Sequence, residues 1–358
     1  MKRFLPLILV IFLSSTSFAL DADVTTSTIF DAGMYDTVDM TSQVKGDLWL
    51  KLSGEEHWSA DFDYQFGRDV SKINVAQLKL FIPETDIVLG RQQIGWGVGY
   101  AFNPIDIINP KPVGSSFDPT FVRDGRDAVT ITKYFGELNK LELVYAGQLT
   151  ETKMDSTTPV DVNFQEDVGL KFKSNIDDFD VAAIYVDKGL RTYNGSPEAK
   201  DGVLGFEVSG TLPVIEWGFW TETAHYLETN KYEYVIGTDY YFGDYHATFE
   251  YYKNGFGSVY TSSYDPALML QGRLMGQDYI SSSGSYVFDE KLTVTKFSFW
   301  NLNDGGMMSG AVVDYFLNDN VELILMPIFL TGSDYSEFGQ QASLIGSYAV
   351  QAMVKCVY

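Results

Sequence analysis

The chain has 358 residues, with 48 acidic against 25 basic side chains and a net charge of −23. That charge excludes a nucleic-acid partner, whose phosphates it would repel. At 45% hydrophobic and 15% aromatic residues, the chain is also too apolar to be an acidic disordered segment.

The N-terminus reads as a secretory signal peptide over residues 1–19. Lys2 and Arg3 form its charged region, Phe4 to Leu13 its apolar region, and Ser17-Phe18-Ala19 a small-residue cleavage site. About ten apolar residues are too few to span a bilayer as a helix. Cleavage removes two bases and takes the net charge from −23 to −25. Cys356 is the single cysteine, so no intramolecular disulfide can form. An exported chain with 23 Tyr and 25 Phe and no long helical pattern suggests an outer-membrane β-barrel.

Residues Val24 to Ala32 form a weak first strand. Val44 to Leu52 is better, and Glu56 to Gly67 is the clearest. There Trp58, Ala60, Phe62, Tyr64 and Phe66 share one face, while His57, Ser59, Asp61, Asp63 and Gln65 share the other. This is the period of a strand with one apolar and one wet face. His57, Asp61, Asp63 and Gln65 are therefore expected on a polar lumen wall. Asn74 to Ile82 and Thr85 to Ile94 follow, turning at Pro83.

After a long irregular stretch come Asp127 to Phe135 and Leu138 to Leu149, then Phe164 to Lys173 and Phe179 to Lys188. Gly202 to Leu212, Val214 to Ala224, Tyr232 to Phe242 and Tyr245 to Lys253 continue the series. Gln277 to Phe288, Lys291 to Asn301, Met308 to Leu317, Val321 to Leu330 and Leu344 to Tyr358 complete it. Short turns alternate with longer connections, as in barrels with short periplasmic turns and long outer loops. An even strand number then gives an all-β transmembrane antiparallel barrel of about 18 strands, with 16 or 14 as alternatives. Pro327 fits poorly, because proline removes a ladder donor.

The exception to the alternation is the third outer loop, 95–126. Gly95, Gly97, Gly99, Pro104, Pro110, Pro112 and Pro119 exclude a long helix or a regular strand. A loop this long inside a compact protein is functional or disordered, and its aromatic and branched residues point to order. Trp96, Tyr100, Phe102 and Phe121 are expected to pack on a wall, with Ile107. Asp106, Lys111, Asp118, Arg123, Asp124, Arg126 and Asp127 are expected to face water as a constriction of both signs.

Other chemistry is weakly marked. The three glycines lack the dinucleotide spacing and open no helix. His57, His225 and His246 have no metal-ligand spacing. No serine has a nucleophile-elbow context. The pair Asp61 and Asp63 supplies too few oxygens for a calcium site. Tyr232, Tyr234, Tyr240, Tyr241, Tyr245, Tyr251 and Tyr252 read as interfacial girdle residues. The sequence thus implies no enzyme, no metal and no cofactor.

Gly90-Arg91-Gln92, Trp96-Gly97, Phe102-Asn103-Pro104-Ile105-Asp106, Asn109-Pro110 and Gly125-Arg126-Asp127-Ala128 form a spaced motif. It resembles that of a porin-like family of bacterial outer-membrane β-barrels. The resemblance covers about forty residues and implies a porin-like or export-related role, with no substrate named. The expectation is an outer-membrane channel for ions and small hydrophilic solutes, weakly cation selective and narrowed by the third loop. Its partners would be outer-membrane lipid and the permeating solutes or cations, and self-association stays open. A structural barrel anchoring another envelope layer and an outer-membrane hydrolase are the alternatives.

Overall fold

Period-two alternation becomes strand pairing almost wherever the sequence carries it. A computed structural model describes residues 21–35, 38–54, 57–67, 71–119, 121–155, 158–193, 195–198, 200–213, 215–265, 268 and 273–357. The expected signal peptide, residues 1–19, lies outside them.

The first strands are β1 (Asp21–Tyr35), β2 (Val38–Gly54), β3 (Trp58–Gly67), β4 (Ser71–Ile82) and β5 (Thr85–Gln92). After the long loop come β6 (Arg126–Phe135) and β7 (Asn139–Ala146), then the short β8 (Leu149–Asp155) and β9 (Thr158–Phe164). β10 (Asp167–Ile176) and β11 (Phe179–Lys188) follow, then the short β12 (Arg191–Tyr193) and β13 (Ser196–Glu198). The remaining wall strands are β14 (Asp201–Leu212), β15 (Trp217–Tyr226), β16 (Lys231–Phe242), β17 (Tyr245–Lys253), β18 (Asp278–Val287), β19 (Leu292–Asn301), β20 (Met307–Asn318), β21 (Val321–Thr331) and β22 (Tyr348–Val357).

Eighteen of these strands form one antiparallel sheet. Each pairs with its neighbours in chain order, β7 with β10 and β11 with β14 across the short strands. β22 pairs back onto β1, from Ser27↔Val357 to Tyr35↔Ala349, and so closes the sheet. The protein is therefore an all-β transmembrane barrel of eighteen strands, and closure leaves the barrel wall, among the described residues, with no unpaired edge strand.

Closure divides the side chains into two sets. Along β10, Val168, Leu170 and Phe172 are exposed on the outer face, while Asp167, Gly169 and Lys171 are buried inside. Along β14, Leu204 and Phe206 point out and Val203 and Glu207 point in. The short turns gather at one rim. Several need a left-handed residue, met by Glu84, Asp177, Gly136 and Gly243. The long connections gather at the other rim.

Three departures from the sequence expectation have local causes. The stretches 150–163 and 189–201, expected as plain loops, contribute β8, β9, β12 and β13 to a separate four-stranded sheet. Residues 337–343, expected within a connection, and Leu344 and Ile345, expected as strand, together form a helix, α1 (Glu337–Ile345). The Ser336 side chain caps it by accepting from the Gly339 N–H, and Gly346 ends it. At Pro327 the β20–β21 ladder runs from Met307↔Thr331 to Gly310↔Ile328 and resumes at Val313↔Leu325. The proline is tolerated because the barrel keeps its pairing with β22 at Pro327↔Val350.

Candidate functional site

The loop between β5 and β6 is held inside the barrel wall by its own backbone. Its first turn is rich in glycine because the chain curls tightly against two wall glutamates. Gly97 has a φ of 104°, and a side chain there would strike the Glu222 carboxylate and the Asn103 amide. A side chain on Gly99 would strike the carbonyl of Phe102.

Glu222 of β15 accepts from the backbone N–H groups of Val98, Gly99 and, at 3.4 Å, Ile105. Glu250 of β17 accepts from Tyr100 at 2.6 Å, from Ala101 at 2.7 Å and from the Trp220 indole at 2.7 Å. Both glutamates are fully buried. They are carboxyl acceptor sites for amides that an irregular loop would otherwise leave unpaired.

Apolar packing follows from that placement. Phe102 stacks on Tyr252 with ring centroids 4.7 Å apart and meets Phe299 edge-on at 5.8 Å. Phe117 stacks on Phe297 at 4.8 Å. Ile94, Trp96, Ile105, Ile107 and Ile108 form a second cluster with inner-face residues that include Val144, Ile184, Val203 and Ala224. The Trp96 indole donates to Glu142 of β7 at 2.5 Å. Of the four aromatic residues expected to pack, Trp96 and Phe102 are buried and Phe121 is half-buried, while Tyr100 is 38% exposed. Tyr100 sits edge-on to Phe117 at 5.3 Å.

The charged residues of the loop divide in a way the sequence did not indicate. Asp106 is buried, not water-facing, and accepts from Arg123 at 2.8–2.9 Å, from the Trp96 N–H at 3.3 Å and from the Lys111 N–H at 3.1 Å. Arg123 also donates to the Ile94 carbonyl at 3.0 Å. The two residues staple the ends of the loop together. Arg126 is the first residue of β6 and is fully buried. It pairs with Asp167 and donates to the carbonyls of Ile108 at 2.5 Å, Gln165 at 2.6 Å and Gly147 at 3.0 Å.

Arg191 joins the same carboxylate at 2.7 Å and donates to the Ile107 carbonyl at 2.9 Å. The Phe164 ring lies against both guanidinium groups. Asp124 pairs with Lys72 of β4. Lys111 donates to the Tyr100 carbonyl at 3.1 Å and to Ser116 at 2.9 Å, and desolvation by burial lowers its pKa from the ordinary value. Asp118 is half-buried. Asp127 falls on the other face of the wall, 67% exposed and paired with Arg91 at 3.0 Å. Strand alternation sends it out while its neighbours Arg126 and Ala128 point in.

The lumen-wall expectation divides likewise. Asp61 and Asp63 are buried on the inner face of β3, with Gln65 half-buried beside them. Asp61 pairs with Lys79 at 2.8 Å and accepts from Gln77 at 2.8 Å. His57 is exposed in the turn before Trp58, because β3 begins two residues later than the expected strand Glu56 to Gly67. Among the tyrosines, Tyr232 and Tyr245 are exposed on the outer face. Tyr252 is buried inside, where its hydroxyl donates to Glu233 at 2.7 Å.

Glu142, Asp167, Arg191, Glu222 and Glu250 escape a sequence reading. For the four acids the available signal is a carboxylate at an inward position of a wall strand, and Arg191, on the short β12, carries none. The acids' partners lie 20 to more than 100 residues away, so the spacing reveals nothing of them. A cavity of ≈ 120 Å³ lies on the far side of the loop, lined by Phe102, Asp106, Lys111, Arg191, Glu198 and Arg273 among others.

No protein-family model and no curated protein matches the chain. Solved structures do match in fold. Pseudomonas aeruginosa OpdQ superposes with a TM-score of 0.63 at 10% identity, over 95% of this chain and 97% of that one. P. aeruginosa OprD gives 0.61 at 10% identity, over 94% and 95% of the two chains. Acinetobacter baumannii OccAB3 gives 0.61 at 8% identity, over 95% and 99%. At identities this low the likeness is one of architecture: the chain, an eighteen-stranded transmembrane barrel, shares its fold with these proteins.

Proposed function

We propose that the protein is a porin-like channel of the bacterial outer membrane. It passes ions and small hydrophilic solutes by diffusion, is narrowed by its third outer loop and has a weak preference for cations. The reading rests on one observation. The loop's apolar side chains lie against inner-face residues of β7, β11, β14, β15, β17 and β19, while the inner face of β2–β4 stays polar. Trp49 is 36% exposed there, and Lys51 is exposed opposite Asp61. The solute path then runs between the loop and the row Trp49, Lys51, Asp61 and Lys79. Eighteen-stranded barrels are wide enough to need such narrowing before they can select. The acidic balance of the chain, −23 overall, supports the cation preference.

The test is single-channel conductance in planar bilayers, using a Cys356→Ser background. Lys51→Cys should be modified by a charged methanethiosulfonate from the aqueous phase, with a stepwise loss of current. Current that ignores a verified modification at position 51 would move the path elsewhere. A protein that folds and inserts without conducting would instead favour an anchoring barrel.

A further inference from the structure

The outer face of a membrane barrel should be apolar at mid-height, and over most of this barrel it is. The exception lies on β16–β20. Strand register places Lys296 of β19 on the outer face, opposite Gly284 of β18 and Ala311 of β20. One pair further on, Ser298 faces Ser282 and Ser309, and the hydroxyls of Ser282 and Ser298 are hydrogen-bonded at 2.8 Å. Large side chains stand around these small ones. The result is a cleft of ≈ 550 Å³ whose lining includes Trp217, Tyr240, Tyr245, Phe249 and Lys296. The Tyr245 ring leans over Gly284, where any side chain would collide with it.

Lys296 is exposed, and among the described residues it has no carboxylate partner. A cation in the lipid-facing belt is unfavourable unless it reaches the interface or meets an anion. It sits four residues into β19, about 10 Å above the short-turn rim at the usual rise and tilt of a barrel strand. A lysine stem can bridge much of that height by snorkelling toward the headgroups.

We propose that this cleft binds one phospholipid of the leaflet at the short-turn rim. Its phosphate pairs with Lys296, and an acyl chain lies over Gly284 and Ala311 between the aromatic walls. A second copy of the chain fits less well. The outward acids of the described barrel strands, Asp127, Asp187 and Asp278, sit near the long-loop rim and are already paired with Arg91, Lys200 and Lys253. A convex barrel wall also cannot fill a concave cleft, whereas a flexible acyl chain can.

The test is native mass spectrometry of the detergent-purified barrel with added phosphatidylglycerol, diacylglycerol or lipid A. Heat-modifiable electrophoretic mobility selects folded protein for each variant. The expected result is one retained phosphatidylglycerol on the wild type and on Lys296→Arg. Retention should fall about fivefold in Lys296→Met, roughly what one basic side chain contributes near an anionic surface. Equal retention by folded Lys296→Met, or equal retention of diacylglycerol, would overturn the phosphate contact. Preferential retention of lipid A would overturn the leaflet. A lipid-free dimer would give the cleft to a second copy.

Discussion

Glu222 and Glu250 are the residues on which the loop's position depends. Each replaces water for two or three N–H donors in a buried setting, where leaving a buried donor unsatisfied costs about 1–3 kcal/mol. Glu222→Gln and Glu250→Gln should each loosen the loop without unfolding the wall, because the strand pairings around them do not involve their side chains. Single-channel traces of either variant should show frequent excursions to a larger conductance. Quiet traces identical to wild type would mean the amides are held by something else. At this scale the sequence was legible in part. The glycines and aromatic residues of the loop mark it as ordered, and Trp96 and Phe102 do pack. Asp106, Arg123 and Arg126 look like water-facing charges in sequence, yet burial turns them into staples. Whether an ionic side chain faces solvent depends on partners such as Asp167, which no local spacing announces.

Among the elements, the strands were the most legible, since half-buried alternation is a property of neighbours in sequence. The β8–β9–β12–β13 sheet was not, because its strands are short and pair outside the barrel. That sheet also carries a pH-sensitive clamp. Burial works against charge on Glu198, yet Arg273 and Lys188 hold its carboxyl below the ordinary value of 4.5. A lowered acid stabilises the folded arrangement fully above its unfolded pKa and loses that contribution as pH falls through its folded value. A spin label on Thr192→Cys, in a Cys356→Ser background, should stay restricted from neutral pH to about 4.5 and gain mobility below it. Glu198→Gln should be mobile throughout, and a wild type insensitive to acid would remove the clamp. For the long loop itself, deleting Val98 to Phe117 should raise conductance severalfold. Unchanged conductance in a correctly folded deletion would reject the narrowing.

For the molecule as a whole, the short turns and long connections give an orientation that labels can check. A tag at Ser262 should be reached from the cell exterior, whereas tags at Gly136 or Gly243 should be protected until the outer membrane is broken. Two further sites of that kind, Thr157 and Asn194, lie outside the described residues. The opposite labelling pattern would invert the barrel. Reversal potentials in asymmetric salt should show a small cation preference, and an anion preference would remove that part of the proposal. The closure of β22 onto β1 has a kinetic meaning as well. Ser27 and Val357 are register partners although 330 positions separate them in sequence. The ladders from β1–β2 round to β20–β21 can form without β22, but both its pairing with β21 and the closure onto β1 must wait for it. Until then two unpaired edges persist, each a template for aggregation. A chain lacking Tyr348 to Val357 should therefore be lost as aggregate or to proteases, not survive as a slightly smaller barrel, and its refolding yield in lipid vesicles measures this directly.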